Sequence, residues 1–222
     1  MTTDNRDDPG DSYDAVADEY VRQILHELEH KPFDRELLDR FACDVRSGGT
    51  VADIGCGPGH VGRHLYERGV RICGLDLSAQ MVERARQLNP GIEFMRGDMR
   101  ALSVPDGAWA GIVAFYSIIH VPRDQVVETL GEFARALEPG APLLLAFHIG
   151  DQVVHLEEWW EQKVSLDFVF FQPREMQTYL VAAGFKVDEV LEREPYAADV
   201  EHQSRRCYIF ARTPRREGED AV

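Results

Sequence analysis

The chain has 222 residues, 44% of them hydrophobic and 28% charged, enough for one domain with a single sizeable core. A net charge of −15, with no strong Lys/Arg cluster in the body of the chain, argues against a nucleic-acid partner. Four scattered cysteines without CxxC spacing read as reduced thiols, no apolar run reaches bilayer length and the acidic start does not resemble a secretory signal, so a cytoplasmic protein with no membrane partner is expected.

Residues 1–10, polar and without an apolar anchor, are expected to be a disordered tail, as are residues 213–222. Between them, 11–212 reads as a single domain, with 11–40 a helical cover ahead of the first strand. TVADI (50–54) is a short strand, followed by a helix over 60–69 that Gly69 closes. RICGLDL (71–77) is a strand, and 78–89 a helix with Ser78 as N-cap and Pro90 past its end. Strands follow at 92–98 and 111–117, then a helix over 123–140 and the buried strand PLLLAFH (142–148). A helix over 173–185 and strands at 185–194 and 204–212 complete the chain; the last two, joined without a helix, are expected to form an antiparallel hairpin. Strand and helix alternating in this way imply right-handed crossovers and an α/β, Rossmann-like, doubly wound sheet.

In such a sheet, ligands bind at the carboxyl ends of the strands. The first strand ends at Ile54, and GCGPG follows at once. Gly55, Gly57 and Gly59 allow left-handed backbone and close approach, and the next helix offers free N–H groups. Asp76, at the end of the second strand, is placed to take both hydroxyls of a ribose. A dinucleotide fingerprint needs its third glycine where His60 stands. Asp53 would repel a pyrophosphate but suits a ligand with an ammonium group, such as S-adenosyl-L-methionine.

VADIGCGPGHVG (51–62), GLDLS (74–78), RGDM (96–99) and YSIIHVP (116–122) together resemble the successive motifs of the class I S-adenosylmethionine-dependent methyltransferase family, of the small-molecule type 11/25-like group. The resemblance covers roughly residues 13–148 in motifs and the whole chain in architecture. It implies a seven-stranded sheet of order 3-2-1-4-5-7-6 with the last strand antiparallel, and S-adenosyl-L-methionine as cofactor. It implies that Asp53 holds the methionine amino group, directly or through water, with Gly55, Gly57 and Gly59 against the methionine moiety. Asp76 would bind the ribose, Leu77 and Met81 would pack on the adenine, Asp98 would accept from its N6 amine, the Met99 N–H would face N1, and Phe115 would offer its carbonyl. YDAVADEY (13–20) resembles the helix that closes over the cofactor, Tyr13 and Tyr20 facing the sulfonium, although a core stripe has the same spacing.

His120, after the fourth strand, is the candidate base or substrate-orienting group; its bland alternative is a helix-capping loop residue. The weakly patterned insert 149–172 is read as a lid over the acceptor. Tyr116, His120, His148, Trp159, Trp160 and Phe170 are the candidate acceptor-pocket residues; the insert's aromatics would serve equally to bury it against the sheet. His148, Asp151, His155 and Glu158 could together bind a metal, His155 and Glu158 sharing a face were this segment helical, but no tight ligand spacing recurs and no metal is assigned. The expected activity is methyl transfer to an O or N atom of a small-molecule acceptor, by a monomer or homodimer. A non-catalytic cofactor-binding module, an NAD-type oxidoreductase and aminopropyl transfer on the same fold are the alternatives; against the last, no carboxylate lies near Tyr116 and Ser117.

Overall fold

The computed structural model describes residues 9–45 and 48–215. Seven strands form one sheet: β1 (Val51–Ile54), β2 (Ile72–Asp76), β3 (Glu93–Arg96), β4 (Gly111–Phe115), β5 (Pro142–His148), β8 (Lys186–Arg193) and β9 (Arg206–Arg212). Their order is β3-β2-β1-β4-β5-β9-β8, which is the expected 3-2-1-4-5-7-6 once the two insert strands are set aside. The first five run parallel, and β9 is antiparallel to both its neighbours, β5 and β8.

The central strands are buried along nearly their whole length, yet their side chains sort by parity, as the two-residue period of a strand requires. Ala52, Ile54, Ile112, Ala114, Leu143, Leu145 and Ile209 enter one core layer, under α5 (Val126–Ala136) and α6 (Pro173–Ala182). Val51, Val113, Leu144, Ala146 and Tyr208 enter the other, under α2 (Pro32–Asp44), α3 (His60–Tyr66) and α4 (Ala79–Leu88). Asp53 shares its parity with Val51 and so lies on the α3 face. Ser78 caps α4 as expected, accepting from the Met81 amide at 3.0 Å.

Two expectations need correction at their edges. The first helix, α1 (Pro9–Ile24), already includes Pro9 and Gly10; residues 1–8 lie outside the described residues, as do 216–222. Thr213 is buried and anchored, its hydroxyl donating to the Glu138 carbonyl at 2.7 Å and accepting from the Ala141 amide at 3.2 Å, so the main chain is held past 212.

The insert is a separate antiparallel hairpin of β6 (Val153–Trp159) and β7 (Gln162–Val169), not a helix and not an addition to the main sheet. Trp160 and Glu161 have φ of +50° and +62°, the sign both central residues of a type I′ turn require. A third, smaller cluster of Val16, Val164 and Leu166 seats α1 on this hairpin. Ser12 fixes the register of the contact by accepting from the Ser165 amide at 2.9 Å.

Candidate functional site

The loop from β1 to α3 uses its three glycines in three ways. A Cβ on Gly55 would lie 2.3 Å from that of Ser117, whose hydroxyl donates to the Ile54 carbonyl at 2.7 Å; the loops after β1 and β4 therefore meet at bare backbone. A Cβ on Gly57 would meet only the Tyr20 ring, at 3.6 Å, so this backbone is open to the cavity. Gly59 instead packs inward, where a Cβ would collide with Phe94 at 2.7 Å and Asn89 at 2.8 Å. Gly55 and Gly57 line the site and Gly59 does not.

Two joined chambers lie over the carboxyl ends of β1, β2 and β4, sharing Tyr13, Tyr20, Gly55, Gly57, Phe115 and Tyr116. The first gathers Asp76, Leu77, Met81, Asp98, Met99 and His120. The Asp76 carboxylate accepts from the Gly57 amide at 2.8 Å and the Ser78 amide at 2.9 Å. Burial pushes its carboxyl above the usual value, with those amides working the other way. Asp98 is less enclosed; burial disfavours its charge, but Arg100, 2.7 Å away, outweighs this and lowers it.

The second chamber, of about 350 Å³, holds Asp53, His148, Trp159 and Phe170. Asp53 is 1% exposed and accepts from the Gly62 amide at 2.9 Å; burial raises its carboxyl to about 7, against the pull of His60 and that amide. His148 stacks on Phe170 with ring centres 5.0 Å apart. Trp160 is outside this wall, a correction to its expected place: it stacks on Trp159 at 4.4 Å and backs it from behind. Nor can His155 and Glu158 share a helix face, because they lie on β6; His155 pairs with Asp167 at 2.7 Å on exposed surface.

Several lining groups escaped the sequence reading. Glu27 binds His60 at 2.9 Å and Lys31 at 2.6 Å, and these two partners overcome its burial to hold it near 2. Lys31 and Arg206 stand 5.9 and 5.4 Å from the Tyr116 ring centre. Tyr116 itself has φ +53°, a left-handed backbone that is costly for an aromatic residue and frequent at functional sites. Its hydroxyl meets that of Tyr208 at 2.9 Å; Tyr208 donates to Asp34 at 2.9 Å, so Tyr116 is the donor of the pair. Tyr116 was already a candidate pocket residue, whereas Glu27, Lys31 and Arg206 carry no local signal: Glu27 and Lys31 precede the first strand, and Arg206 arrives on β9.

His120 sits between α1 and the hairpin. Its Nδ1 is 2.9 Å from the Asp167 carbonyl, which can only accept, so Nδ1 carries the proton. Nε2 therefore accepts from the Tyr13 hydroxyl at 2.8 Å. Burial lowers the imidazole to about 4, keeping it neutral at neutral pH, and raises the Tyr13 phenol, which stays protonated.

Comparison with known proteins now decides the family. Residues 51–140 match the family described as "Methyltransferase domain". A phosphatidylethanolamine N-methyltransferase of Cereibacter sphaeroides is 30% identical over 142 residues, 61% of this chain and 68% of that protein. The chain belongs to the class I S-adenosylmethionine-dependent methyltransferase family. A second methyltransferase, the malonyl-[acyl-carrier protein] O-methyltransferase of Enterobacter lignolyticus, is 27% identical over 152 residues, 66% of this chain but 58% of that protein. Against several such curated methyltransferases, the chain spans only about half of their length. Among solved structures, a DhpI-SAH complex superposes with a TM-score of 0.71 at 24% identity, covering 93% of this chain and 95% of that one, and shares the fold. The methyltransferase family's cofactor, S-adenosyl-L-methionine, is the one the motifs implied. Among the described residues, no helix is long and apolar enough to cross a membrane.

Proposed function

We propose that the protein transfers a methyl group from S-adenosyl-L-methionine to an O or N atom of a small-molecule acceptor. The observation that carries this reading is the junction of the two chambers, where the open Gly57 backbone lies among the rings of Tyr13, Tyr20 and Phe115. A ligand with a nucleoside at one end and an amino acid at the other fits that division. Asp76, its oxygens held by two amides, takes the ribose hydroxyls. Leu77 and Met81 pack on the adenine, Asp98 accepts from its amine, and the Met99 amide and Phe115 carbonyl complete its edge. Asp53 and the backbone at Gly55 and Gly57 hold the methionine end.

When bound, this cofactor supplies a methyl group on a sulfonium that departs as a neutral thioether. The tyrosines of α1 present ring faces to positive charge and exclude water. His120 and Tyr13 fix one edge of the acceptor's approach, since alignment accounts for much of the rate of an in-line transfer. With its Nε2 already accepting from Tyr13, His120 orients rather than deprotonates. Relatives named for malonyl-acyl carrier protein, trans-aconitate, phosphatidylethanolamine and an amino sugar span both oxygen and nitrogen acceptors.

The test is titration calorimetry with S-adenosylmethionine, S-adenosylhomocysteine and NAD, followed by methyl incorporation into candidate acceptors. Micromolar binding of both sulfur ligands and none of NAD is expected. Asp76→Ala should weaken both by roughly 100-fold, because a charged hydrogen-bond acceptor is lost. Unchanged affinity in folded Asp76→Ala would remove the ribose from this position, and failure of both sulfur ligands with the folded wild type would overturn the reading.

A further inference from the structure

The far end of the second chamber has an unusual chemistry: its uncommitted polar groups are donors. Arg206 is 2% exposed and lies on β9, directly across from His148 on β5. Its Nη1 approaches His148 Nδ1 at 2.7 Å and the Ser204 carbonyl at 2.8 Å, and its Nη2 donates to the His202 carbonyl at 2.8 Å. Its Nε, also buried, has no hydrogen-bond partner among the described residues.

Arg206 fixes the tautomer of His148. A guanidinium only donates, so the Nδ1 facing it must present its lone pair, and the ring proton is on Nε2. The Ser204 hydroxyl, 2.8 Å from the same Nδ1, is compatible with this as a second donor. Burial and the neighbouring Arg206 hold the imidazole down near 2, so it remains neutral. His148 Nε2–H has no hydrogen-bond partner among the described residues, and the ring lines the chamber.

The carboxylates nearby are already engaged. Glu201 accepts from Arg193, twice, and from the Tyr196 amide at 2.7 Å, and lies 3.5 Å from both Arg206 and Lys31. Glu27 is held by His60 and Lys31. What the chamber offers a ligand here is therefore the His148 N–H, beside two cations, Lys31 and Arg206, whose counter-ions are Glu27 and Glu201, below walls of Leu156, Trp159, Phe168 and Phe170.

We infer that the acceptor is a small apolar acid whose carboxylate seats against Arg206 and His148. It rests on the methyltransferase reading of the same site. The carboxylate's lone pairs accept from the His148 Nε2–H, its charge lies beside the Arg206 guanidinium, and the aromatic walls take its carbon skeleton. An amine-headed ligand would place donors against donors.

The test is calorimetry on protein saturated with S-adenosylhomocysteine. The probes are matched carboxylates, carboxamides and amines on a set of aromatic and aliphatic skeletons, 3-phenylpropanoate, 3-phenylpropanamide and 3-phenylpropylamine among them. Acids should bind at least tenfold more tightly than their amides, and amines least. His148→Phe keeps the stack on Phe170 but removes the donor, and should reduce acid affinity about tenfold while S-adenosylhomocysteine affinity holds. Arg206→Lys keeps the charge, loses the planar fork whose Nη1 sets the His148 tautomer and should also weaken the acids. If S-adenosylhomocysteine binds but no acid outcompetes its amide, or His148→Phe binds acids as wild type does, the inference is overturned and the methyltransferase reading stands. If S-adenosylhomocysteine itself does not bind, the reading beneath it has failed.

Discussion

Gly57 and Gly59 are two positions apart and both left-handed, at φ +51° and +80°, yet they answer to different demands. Ala at either costs about 1–2 kcal/mol of backbone strain. At Gly59 the new methyl also meets Phe94 and Asn89, raising the total to roughly 2–5 kcal/mol. Urea denaturation should therefore find Gly59→Ala the less stable variant. Gly57→Ala, its methyl projecting into the chamber, should be the one that loses S-adenosylhomocysteine affinity out of proportion to its stability.

His120 gives a prediction with a definite sign. Unfolded, a histidine takes up its proton near 6.5; folded, this one does so only near 4. As pH falls between those values the unfolded chain gains a proton that the native state refuses, so native stability is lost on acidification. Asp53, raised to about 7 in the fold, binds its proton earlier in the native state and opposes this trend. A comparison with His120→Gln cancels that contribution. Wild type should lose on the order of 2–3 kcal/mol relative to His120→Gln between pH 7 and 4, measured by denaturation at each pH. Parallel stability curves would mean that His120 is protonated as readily in the fold as out of it.

At the scale of elements, α1 is held in two places. Asp14 accepts from the Gln80 amide at 2.9 Å and Asp18 from Arg84 at 2.7 Å, tying the helix to α4. On the other side Tyr13 and Tyr20 pack edge-on to Trp159 at 6.0 and 5.8 Å. Trp159 is thus the point where cover and hairpin interlock, each aromatic pair contributing about 0.5–1.5 kcal/mol. Trp159→Ala should expose α1 to trypsin at Arg22 at least tenfold faster, with a much smaller change in global unfolding. Elements whose signals are contiguous were legible from the sequence: the strands, the Ser78 cap, the glycine loop and the carboxylates at Asp53 and Asp76. The hairpin was less so, because its turn is built from Trp160 and Glu161 rather than glycine or asparagine. Arg206 was illegible as a site residue, since only the β5–β9 register brings it opposite His148.

Across the whole molecule, one buried polar chain joins the first and last thirds of the sequence. Tyr116, Tyr208 and Asp34 are linked in series, and Asp34 and Glu201 share Arg193. Removing one member of a buried charged set leaves the others uncompensated. Asp34→Ala should cost about 3 kcal/mol in chemical denaturation, and Tyr208→Phe about 1–3, because the latter orphans hydrogen bonds without stranding a charge.

The place of β9 in the sheet also sets an order of assembly. It lies between β5 and β8 although it follows both in sequence, so among the described residues β8 has no neighbour in the main sheet until β9 has left the ribosome. Residues 51–121, which supply Asp53, Asp76, Asp98 and His120, are made well before then. The segments that carry Asp53, Asp76, Asp98 and His120 are therefore made before the strand that carries Arg206. On the proposed reading, a nascent chain passes through a stage in which the side chains that would grip a methyl donor are present and the Arg206 end of the acceptor chamber is not.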